Sequence, residues 1–304
     1  MICAVIDIGS NSVLLTVSDE SGKVLLDLDE VTKLGEGLSK TPYLKSEAIK
    51  RTVNTVCKFH KLALDHGAVK VIAVGTMALR VAKNKEYFLI KVANQCGLNV
   101  RILSGGEEAR LSFEAAVSSL QHSNQSAVFD VGGRSTEIVI GKDGKPEYLK
   151  SIDIGALTLL ETSNIDFKKS ISQKQLEKLQ QRAANILSQF LPTSKVENLI
   201  GIGGTITNLA AIKLGLTKYD GNKVDGLKIH FKEIVSILKI LSSQPVEIRK
   251  MVAGLQPQRA ELIIPGLTIV LSILHLFGRD ELIVSDRGLR HVLLEKCQES
   301  APSK

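Results

Sequence analysis

The segment AVFDVGGRSTEIVI, residues 127–140, carries the clearest structural signal in this chain of 304 residues. Its first apolar residues predict a buried strand that ends at one carboxylate, Asp130, and its last apolar residues predict a returning strand. Between the two strands, Gly132 and Gly133 let backbone N–H groups approach an anion closely, and Ser135 adds a hydroxyl donor. The segment therefore predicts a phosphate-sized turn between two strands.

Two carboxylates flank this turn and suit a metal ion. Asp130 precedes the glycines, and Glu137 follows them on the returning strand. Carboxylate oxygens are the ligands that Mg²⁺ prefers in proteins. Both residues are therefore candidate magnesium ligands, with a solvated strand position as the alternative for Glu137.

The same turn occurs a second time near the start of the chain. The two copies align without a gap, which pairs Asp7 with Asp130, and two further similarities follow in the same order. Three repeats in one order indicate the duplication of a whole domain. The matching segments are DIGSNSVLLTV (7–17) with DVGGRSTEIVI (130–140), VIAVGTMALR (71–80) with LIGIGGTITNLA (199–210), and the apolar runs into Ser104 and Ser285.

The length and composition suit two domains of the α/β class. Hydrophobic residues make up 44% of the chain, which is enough for two cores. Alternating apolar strands and amphipathic helices predict a first domain over residues 1–124 and a second over residues 125–286. We expect a helical insert at about 231–277 in the second domain. We also expect a C-terminal helix at about 287–304 that packs back on the first domain.

The cysteine pattern favours a reducing compartment. The four cysteines, Cys3, Cys57, Cys96 and Cys297, show no paired spacing, so we expect buried reduced thiols and no zinc site. The start of the chain lacks the features of a leader peptide, and the most apolar stretch, residues 262–276, is too short to span a bilayer. The sequence therefore predicts a cytoplasmic protein with no membrane partner.

The charge balance favours an anionic small ligand over nucleic acid. The formal charge of +7 comes from 39 basic and 32 acidic side chains, which is a mild excess and not a dense basic stripe. The chain has 8 Phe, 4 Tyr and no Trp, which leaves few side chains for base stacking. We expect a polyanionic ligand and no nucleic acid partner.

Six motifs together resemble the exopolyphosphatase and guanosine pentaphosphate phosphohydrolase (Ppx/GppA) family. The match spans essentially the whole chain in the right order, so it is specific although each motif alone is weak. The resemblance implies a duplicated actin-like (ribonuclease H-like) α/β fold of two domains with an interdomain cleft, as in actin, Hsp70 and sugar kinases. It also implies Mg²⁺-dependent hydrolysis of the terminal phosphoryl group of inorganic polyphosphate or of pppGpp. The motifs are DIGSNS (7–12), VGTMALRVAKN (74–84), ILSGGEEARL (102–111), FDVGGRSTE (129–137), GIGGT (201–205) and SDRGLRHVLL (285–294).

Phosphate-binding groups are expected on three turns and one arginine. Backbone N–H groups of the turns would hold phosphate oxygens. Arg80 matches the family's phosphate-binding arginine, and its guanidinium can bind two oxygens at once. An ordinary surface position is the alternative for Arg80. The expected turn residues are Gly9, Ser10, Asn11, Ser12, Gly132, Gly133, Arg134, Ser135, Gly203, Gly204 and Thr205.

Phosphoryl transfer to water also needs a divalent cation and a carboxylate that orients or deprotonates the water. Asp130, Glu137 and Asp7 are the candidate metal ligands. Glu107 and Glu108 both open a helix, where acidic residues are common because they complement the helix dipole. Successive helix positions point about 100° apart, so only one of the two can face the site. The family pattern places the catalytic glutamate at Glu108.

Arg134 departs from the family, which usually has glycine at this position. If the position requires a positive φ, Arg134 carries strain of about 1 kcal/mol and points wherever the turn allows. If the backbone is ordinary, the guanidinium can contact the phosphate behind the one being cleaved. We favour the second alternative because a cation in a phosphate turn has an obvious partner.

The function hypothesis is an exopolyphosphatase, with pppGpp hydrolysis as the alternative. A sugar kinase of the same superfold is a more distant alternative, although it would use an aspartate base at a strand end instead of Glu108. A non-catalytic actin-like filament or nucleotide-binding protein is another.

Larger family members carry extra C-terminal helical domains and this sequence ends at Lys304, so we expect a preference for short polyphosphates. The family resemblance also makes a homodimer possible.

Overall fold

The computed structural model describes residues 1–120, 124–192 and 195–299. These residues form two compact units, each built on its own mixed β-sheet with flanking helices. The α/β class predicted from the sequence is confirmed. No helix in the described ranges is both long enough and apolar enough to cross a bilayer.

The first unit contains residues 1–111 and the C-terminal helix, and the chain enters the second unit, residues 112–288, within a single helix. The first unit's sheet has the order β3-β2-β1-β4-β5, in which β1 to β3 are antiparallel and β1, β4 and β5 are parallel. Its strands are β1 (Cys3–Ile8), β2 (Ser12–Ser18), β3 (Val24–Val31), β4 (Lys70–Gly75) and β5 (Val100–Ile102). Its helices are α1 (Ser46–Asp65), α2 (Met77–Val81), α3 (Lys85–Cys96), α4 (Gly105–Leu120), which continues into the second unit, and α12 (Leu289–Glu299).

Side-chain alternation along β1 determines what each face of this sheet meets. Ala4, Ile6 and Ile8 point to one face, where they share an apolar core with the buried stripe of α1. The intervening residues, Cys3 and Asp7 among them, point to the opposite face. Helix α12 packs on β1 and β4 and is bonded to Cys3, so Asp7 lies on the face that α12 covers.

The second unit repeats the three antiparallel strands and adds helices. Its six-stranded sheet has the order β10-β11-β9-β6-β7-β8. The strands are β6 (Ser126–Val131), β7 (Thr136–Lys142), β8 (Lys145–Ile152), β9 (Asn198–Ile202), β10 (Lys228–His230) and β11 (Glu281–Val284). The helices are α5 (Ala156–Thr162), α6 (Gln173–Leu187), α7 (Gly203–Leu214), α8 (Gly221–Val224), α9 (Phe231–Ser242), α10 (Val246–Arg249), the 3-10 helix Pro257–Arg259 and α11 (Ile263–Leu276).

Helix α11 is the centre of the second unit's core. It is apolar on all sides, and residues 263–274 are all buried. It packs against α5, α6, α7 and α9, as expected for a helix without a polar face. A buried arginine, Arg249, donates to the backbone carbonyls of Ala260, Phe167 and Lys169. These bonds connect the segment before α11 to the segment before α6.

The expectation of four reduced thiols is wrong for this structure. Cys3 is bonded to Cys297, and Cys57 to Cys96, which links β1 to α12 and α1 to α3. The paired residues lie 294 and 39 positions apart, so their spacing carried no pairing signal. Pairing depends on proximity in the fold, and the Cα atoms are 6.4 and 5.4 Å apart.

A thiol titration checks this pairing. Protein denatured without reductant is expected to show no free thiol with Ellman's reagent, and four after reduction. Reduction is also expected to lower the free energy of unfolding by about 2 to 5 kcal/mol, because the crosslinks restrict the unfolded chain. Four reactive thiols in the unreduced protein would restore the original expectation.

Candidate functional site

The first predicted phosphate turn connects β1 and β2. The N–H of Gly9 donates to the carbonyl of Ser12 at 2.9 Å, which closes the turn. The carbonyls of Ser10 and Asn11 accept from backbone N–H groups of residues 32–35, at 2.7 to 2.9 Å. In a planar trans peptide the N–H points away from the carbonyl. The amides that follow these carbonyls therefore point away from residues 32–35, as an anion-binding turn requires.

Asp7 stands immediately before this turn and has a strongly raised pKa. Its Oδ1 is buried and has no hydrogen-bond partner among the described residues. Its pKa is raised from 3.8 to about 7, chiefly by burial and also by the nearby charge of Glu108, while Arg290 opposes the shift. An unsatisfied, buried carboxylate oxygen fits a cation or a proton as its missing partner.

The substitution Asp7→Asn is expected to stabilise the protein above pH 7. Between pH 4 and 7 the folded protein keeps a proton that the unfolded chain releases, so the cost of burying Asp7 grows as pH rises and is complete above pH 7. At about 1.4 kcal/mol per pKa unit, the gain is about 1 to 4 kcal/mol at pH 8 and smaller at pH 5. Urea unfolding at both pH values measures it. An equal effect at pH 5 and 8 would contradict the raised pKa.

The two candidates for the catalytic base have different partners. Glu108 Oε2 lies 2.5 Å from Arg80 Nη1, and both side chains are mostly buried, with 14% and 16% exposed. Glu107 instead accepts from Arg101 at 2.7 Å on the more exposed side of α4. Burial raises the pKa of Glu108, and Arg80 opposes that shift. The structure thus brings together Glu108, Arg80 and the charge of Asp7.

Arg290 belongs to this part of the first unit and was missed in the sequence. It extends from α12 and donates to Thr16 and Asp27 on β2 and β3. Its positive charge opposes the rise in the pKa of Asp7. The motif SDRGLR contains Arg290, but its partners lie more than 260 positions away, and only the fold brings them together.

The second predicted turn, between β6 and β7, repeats the geometry of the first. Gly132 N–H donates to the carbonyl of Ser135 at 3.0 Å. Here the carbonyls of Gly132 and Gly133 accept from the first backbone N–H groups of α5, at 2.7 to 3.1 Å. The following amides, those of Gly133 and Arg134, therefore point away from α5. The two turns share their shape, although different segments support them.

Arg134 has an ordinary backbone conformation. The non-glycine residues with positive φ among those described are Lys33, Asp143 and Asn164, so the strained alternative for Arg134 is wrong. Its guanidinium donates to Glu161 of α5 at 3.0 Å. The backbone N–H of Arg134 is therefore a second candidate phosphate donor, beside the side chain that pairs with Glu161 here.

Two predicted metal ligands are neighbours in the second unit. Asp130 and Glu137 lie directly opposite each other on β6 and β7, on the same face of the sheet. Glu137 is buried and accepts from the Ser151 hydroxyl at 2.6 Å. No group of three His, Cys, Asp or Glu side chains in the described residues is arranged to hold a metal ion. Two adjacent carboxylates still fit Mg²⁺, which commonly uses one or two carboxylates together with substrate phosphates.

The third predicted phosphate turn is the start of α7. Gly203 has a φ of +80°, and a Cβ there would lie 2.1 Å from Asp130 Oδ1. The backbone of the turn therefore touches a candidate metal ligand. The Thr205 hydroxyl donates to the Val131 carbonyl at 3.0 Å, which ties α7 to β6.

Arg259 lies against this helix start and was not identified from the sequence. A Cβ on Gly204 would come within 2.6 Å of its guanidinium. Gln256 accepts from Arg259 Nε at 2.6 Å and orients the side chain. The N-terminus of a helix and a guanidinium both attract anions, so Arg259 extends the candidate phosphate site. Its motif, QPQRAEL, had no counterpart among the predicted turns.

Comparison with known proteins identifies relatives of the whole chain. The model of the Ppx/GppA phosphatase family matches residues 14–300. The bifunctional 3-dehydroquinate synthase/phosphatase of Fusobacterium nucleatum is 31% identical over 96% of this chain and 46% of its own length. The guanosine-5'-triphosphate,3'-diphosphate pyrophosphatase of Aliivibrio fischeri is 28% identical over 95% of this chain and 58% of its own length. This chain therefore spans about half the length of these two relatives.

Two other proteins match over nearly their full lengths. Exopolyphosphatase 2 of Mycobacterium tuberculosis is 28% identical over 94% of this chain and 95% of its own. The crystal structure of the Aquifex aeolicus member of the Ppx/GppA protein family is 33% identical, with a TM-score of 0.82, and covers 100% of this chain and 99% of its own. Sequence and fold point to the same group of proteins.

Proposed function

The chain belongs to the Ppx/GppA phosphatase family, and from that premise we propose that it is a Mg²⁺-dependent exopolyphosphatase. It would hydrolyse the terminal phosphoanhydride bond of inorganic polyphosphate. The observation that carries the proposal is the buried Glu108, with its raised pKa, held 2.5 Å from Arg80. A carboxylate of this kind suits a general base, because its raised pKa makes it a stronger proton acceptor than an exposed glutamate.

Glu108 would orient the attacking water and accept its proton. The water oxygen forms a bond to the terminal phosphorus, and the bond from that phosphorus to the bridging oxygen breaks. The shortened chain leaves as an anion. Arg80, which now pairs with Glu108, would also donate to phosphate oxygens.

The turns would supply the other phosphate contacts. The backbone amides of residues 10–12 and 133–135, and the start of α7, offer uncharged donors, and Arg259 offers a cation. Fixed donors aimed at the transferring phosphoryl group stabilise the charge that develops there without reorganisation.

Asp130 and Glu137 would hold a divalent ion, and the unsatisfied Asp7 is the third candidate. Ppx/GppA phosphatases generally use divalent metal ions, and we propose Mg²⁺ for this chain because all three donors are carboxylates. The ion, when bound, would neutralise phosphate charge.

Hydrolysis of pppGpp is the second candidate function, and the Aliivibrio fischeri relative carries a name of that kind. The same groups would act on its 5'-terminal phosphoryl group. Preference between the two substrates depends on contacts beyond that group.

A phosphate-release assay with Mg²⁺ tests the proposal. The substrates are polyphosphates from a few to several hundred phosphates in length, pppGpp, and ATP with a sugar panel. We expect release from polyphosphate, with higher kcat/KM on short chains, and none after addition of EDTA. No release from polyphosphate or pppGpp would overturn the proposal, and sugar-dependent ATP consumption would replace it with a kinase.

We also propose a cytoplasmic location, on the basis of the sequence pattern. The expected reduced thiols were one argument for this location, and the two disulfides withdraw that argument. Cell fractionation with an antibody against the chain tests it directly.

A further inference from the structure

Helix α5 supports the second phosphate turn from behind. The backbone N–H of Ala156 donates to the Gly132 carbonyl at 2.9 Å, and that of Leu157 to the Gly133 carbonyl at 2.7 Å. The hydroxyl of Thr158 donates to the Arg134 carbonyl at 3.1 Å. Three consecutive carbonyls of the turn are therefore held by three consecutive residues at the start of α5.

The contact between α5 and the turn leaves no free space. A Cβ on Gly155, the residue before α5, would lie 2.5 Å from the Arg134 nitrogen and 2.6 Å from the Gly132 carbonyl oxygen. Only glycine allows the helix to begin this close to the turn. The position of α5 thus determines the orientation of the turn's peptide groups.

Arg134 and Glu161 add an ion pair to the same contact. Thr158 and Glu161 are three positions apart, so they lie on the same face of α5, and both bind Arg134. The side chains of Arg134 and Glu161 are only 6% and 12% exposed. The loss of one partner of such a buried pair leaves an uncompensated charge.

We propose that Arg134 and Glu161 are positioning residues for the phosphate turn. The pair holds α5 against the turn, so that the carbonyls of residues 132–134 face α5 and the amides of residues 133–135 face the phosphate. Arg134 acts through Glu161 and not as a side-chain ligand of the substrate. This inference rests on the proposed function, because it assigns the amides to the phosphate of that reaction.

Glu161→Gln tests the inference, since it removes the charge and keeps the shape. Misplaced donors weaken the transition state, so kcat for polyphosphate should fall about 10- to 100-fold while KM stays within about threefold. If Arg134 were instead a phosphate ligand restrained by Glu161, its release would strengthen substrate binding and lower KM. A fall in KM, or an unchanged kcat, would overturn the proposal.

Glu247→Gln is the matched control. Glu247 also pairs with a cation, Lys250, at 2.8 Å in the second unit, but its side chain is 74% exposed and belongs to α10, outside the contact between α5 and the turn. We expect wild-type kcat and KM for this variant.

Hydrogen exchange separates positioning from catalysis and from overall stability. In Glu161→Gln, the amides of Gly132 and residues 156–158, which donate to carbonyls of the turn, should exchange more than tenfold faster, while those of β9 keep their protection. Saturating inorganic phosphate should slow exchange at the turn in the wild-type protein. If Glu161→Gln does not fold, Glu161→Asp replaces it, because it keeps the charge but is too short to reach Arg134 in the same geometry.

The exchange experiment does not depend on turnover. An inactive wild-type protein would refute the proposed function, and protection of the turn by the ion pair could still be measured. Unchanged exchange in both Glu161 variants would refute the positioning role even in an active enzyme.

Discussion

Replacing Glu108 with glutamine is expected to lower kcat for polyphosphate by roughly two to four orders of magnitude, the usual contribution of a general base. Glutamine keeps the size of the side chain and can still accept from Arg80, but it cannot take a proton from water. KM should change little, because in the proposed mechanism Glu108 would contact the water and not the phosphates. Steady-state phosphate release over a range of polyphosphate concentrations measures both parameters.

Glu107→Gln is the control for this prediction. Glu107 is adjacent in sequence, opens the same helix and also pairs with an arginine, Arg101. Its more exposed position predicts nearly wild-type kinetics. If Glu107→Gln lost more activity than Glu108→Gln, the assignment of the base would be reversed.

Replacing Gly203 with alanine is expected to reduce kcat at least about 100-fold. The new Cβ would lie 2.1 Å from Asp130 Oδ1, so the carboxylate or the start of α7 must move. A displacement of about 1 Å in a group that holds metal or phosphate can cost this much in rate. Phosphate release and the Mg²⁺ concentration for half-maximal activity are the measurements.

Gly215→Ala separates this effect from backbone strain. Gly215 ends the same helix with a φ of +61°, but no other segment of the chain comes within 4 Å of the Cβ that alanine would add. The variant should lose about 1 kcal/mol of stability, because alanine disfavours positive φ, and keep its kcat. Equal kinetics of the two variants would show that the contact between Gly203 and Asp130 has no catalytic importance.

The long elements could be predicted because their apolar periodicity is strong. The two strands expected on either side of the turn in residues 127–140 are Ser126–Val131 and Thr136–Lys142, and the C-terminal helix expected at about 287–304 is described as Leu289–Glu299. The repeat of the Asp-x-Gly turn predicted two similar sheets, which the structure contains. The family resemblance was confirmed.

Helix α5 could not be predicted in the same way. It has seven residues, too few to be stable alone, and its contacts with the turn and with α11 fix its position. The orientation of Arg134 depends on α5, so the sequence offered no reason to direct its side chain to Glu161.

The arginines of the candidate site also differ in how far the sequence could predict them. Arg80 lay within a repeated motif and was identified, whereas Arg259 and Arg290 reach their partners only after distant segments pack together. The choice of Glu108 over Glu107 rests on the 100° step of a helix and on a family pattern, and it stays a prediction. Features within one element could be predicted from the sequence, whereas contacts between residues far apart in the chain could not.

The place of α12 in the first unit has a consequence for biosynthesis. The ribosome completes strands β1 to β5 early, but the helix that covers β1 and supplies Arg290 is made only after residues 112–288. Residues 112–288 are translated in between, which takes on the order of ten to forty seconds. During that interval one face of the nascent N-terminal sheet lacks its cover, while the contiguous second unit can already fold. The first unit is therefore completed only after all of the second unit has been made.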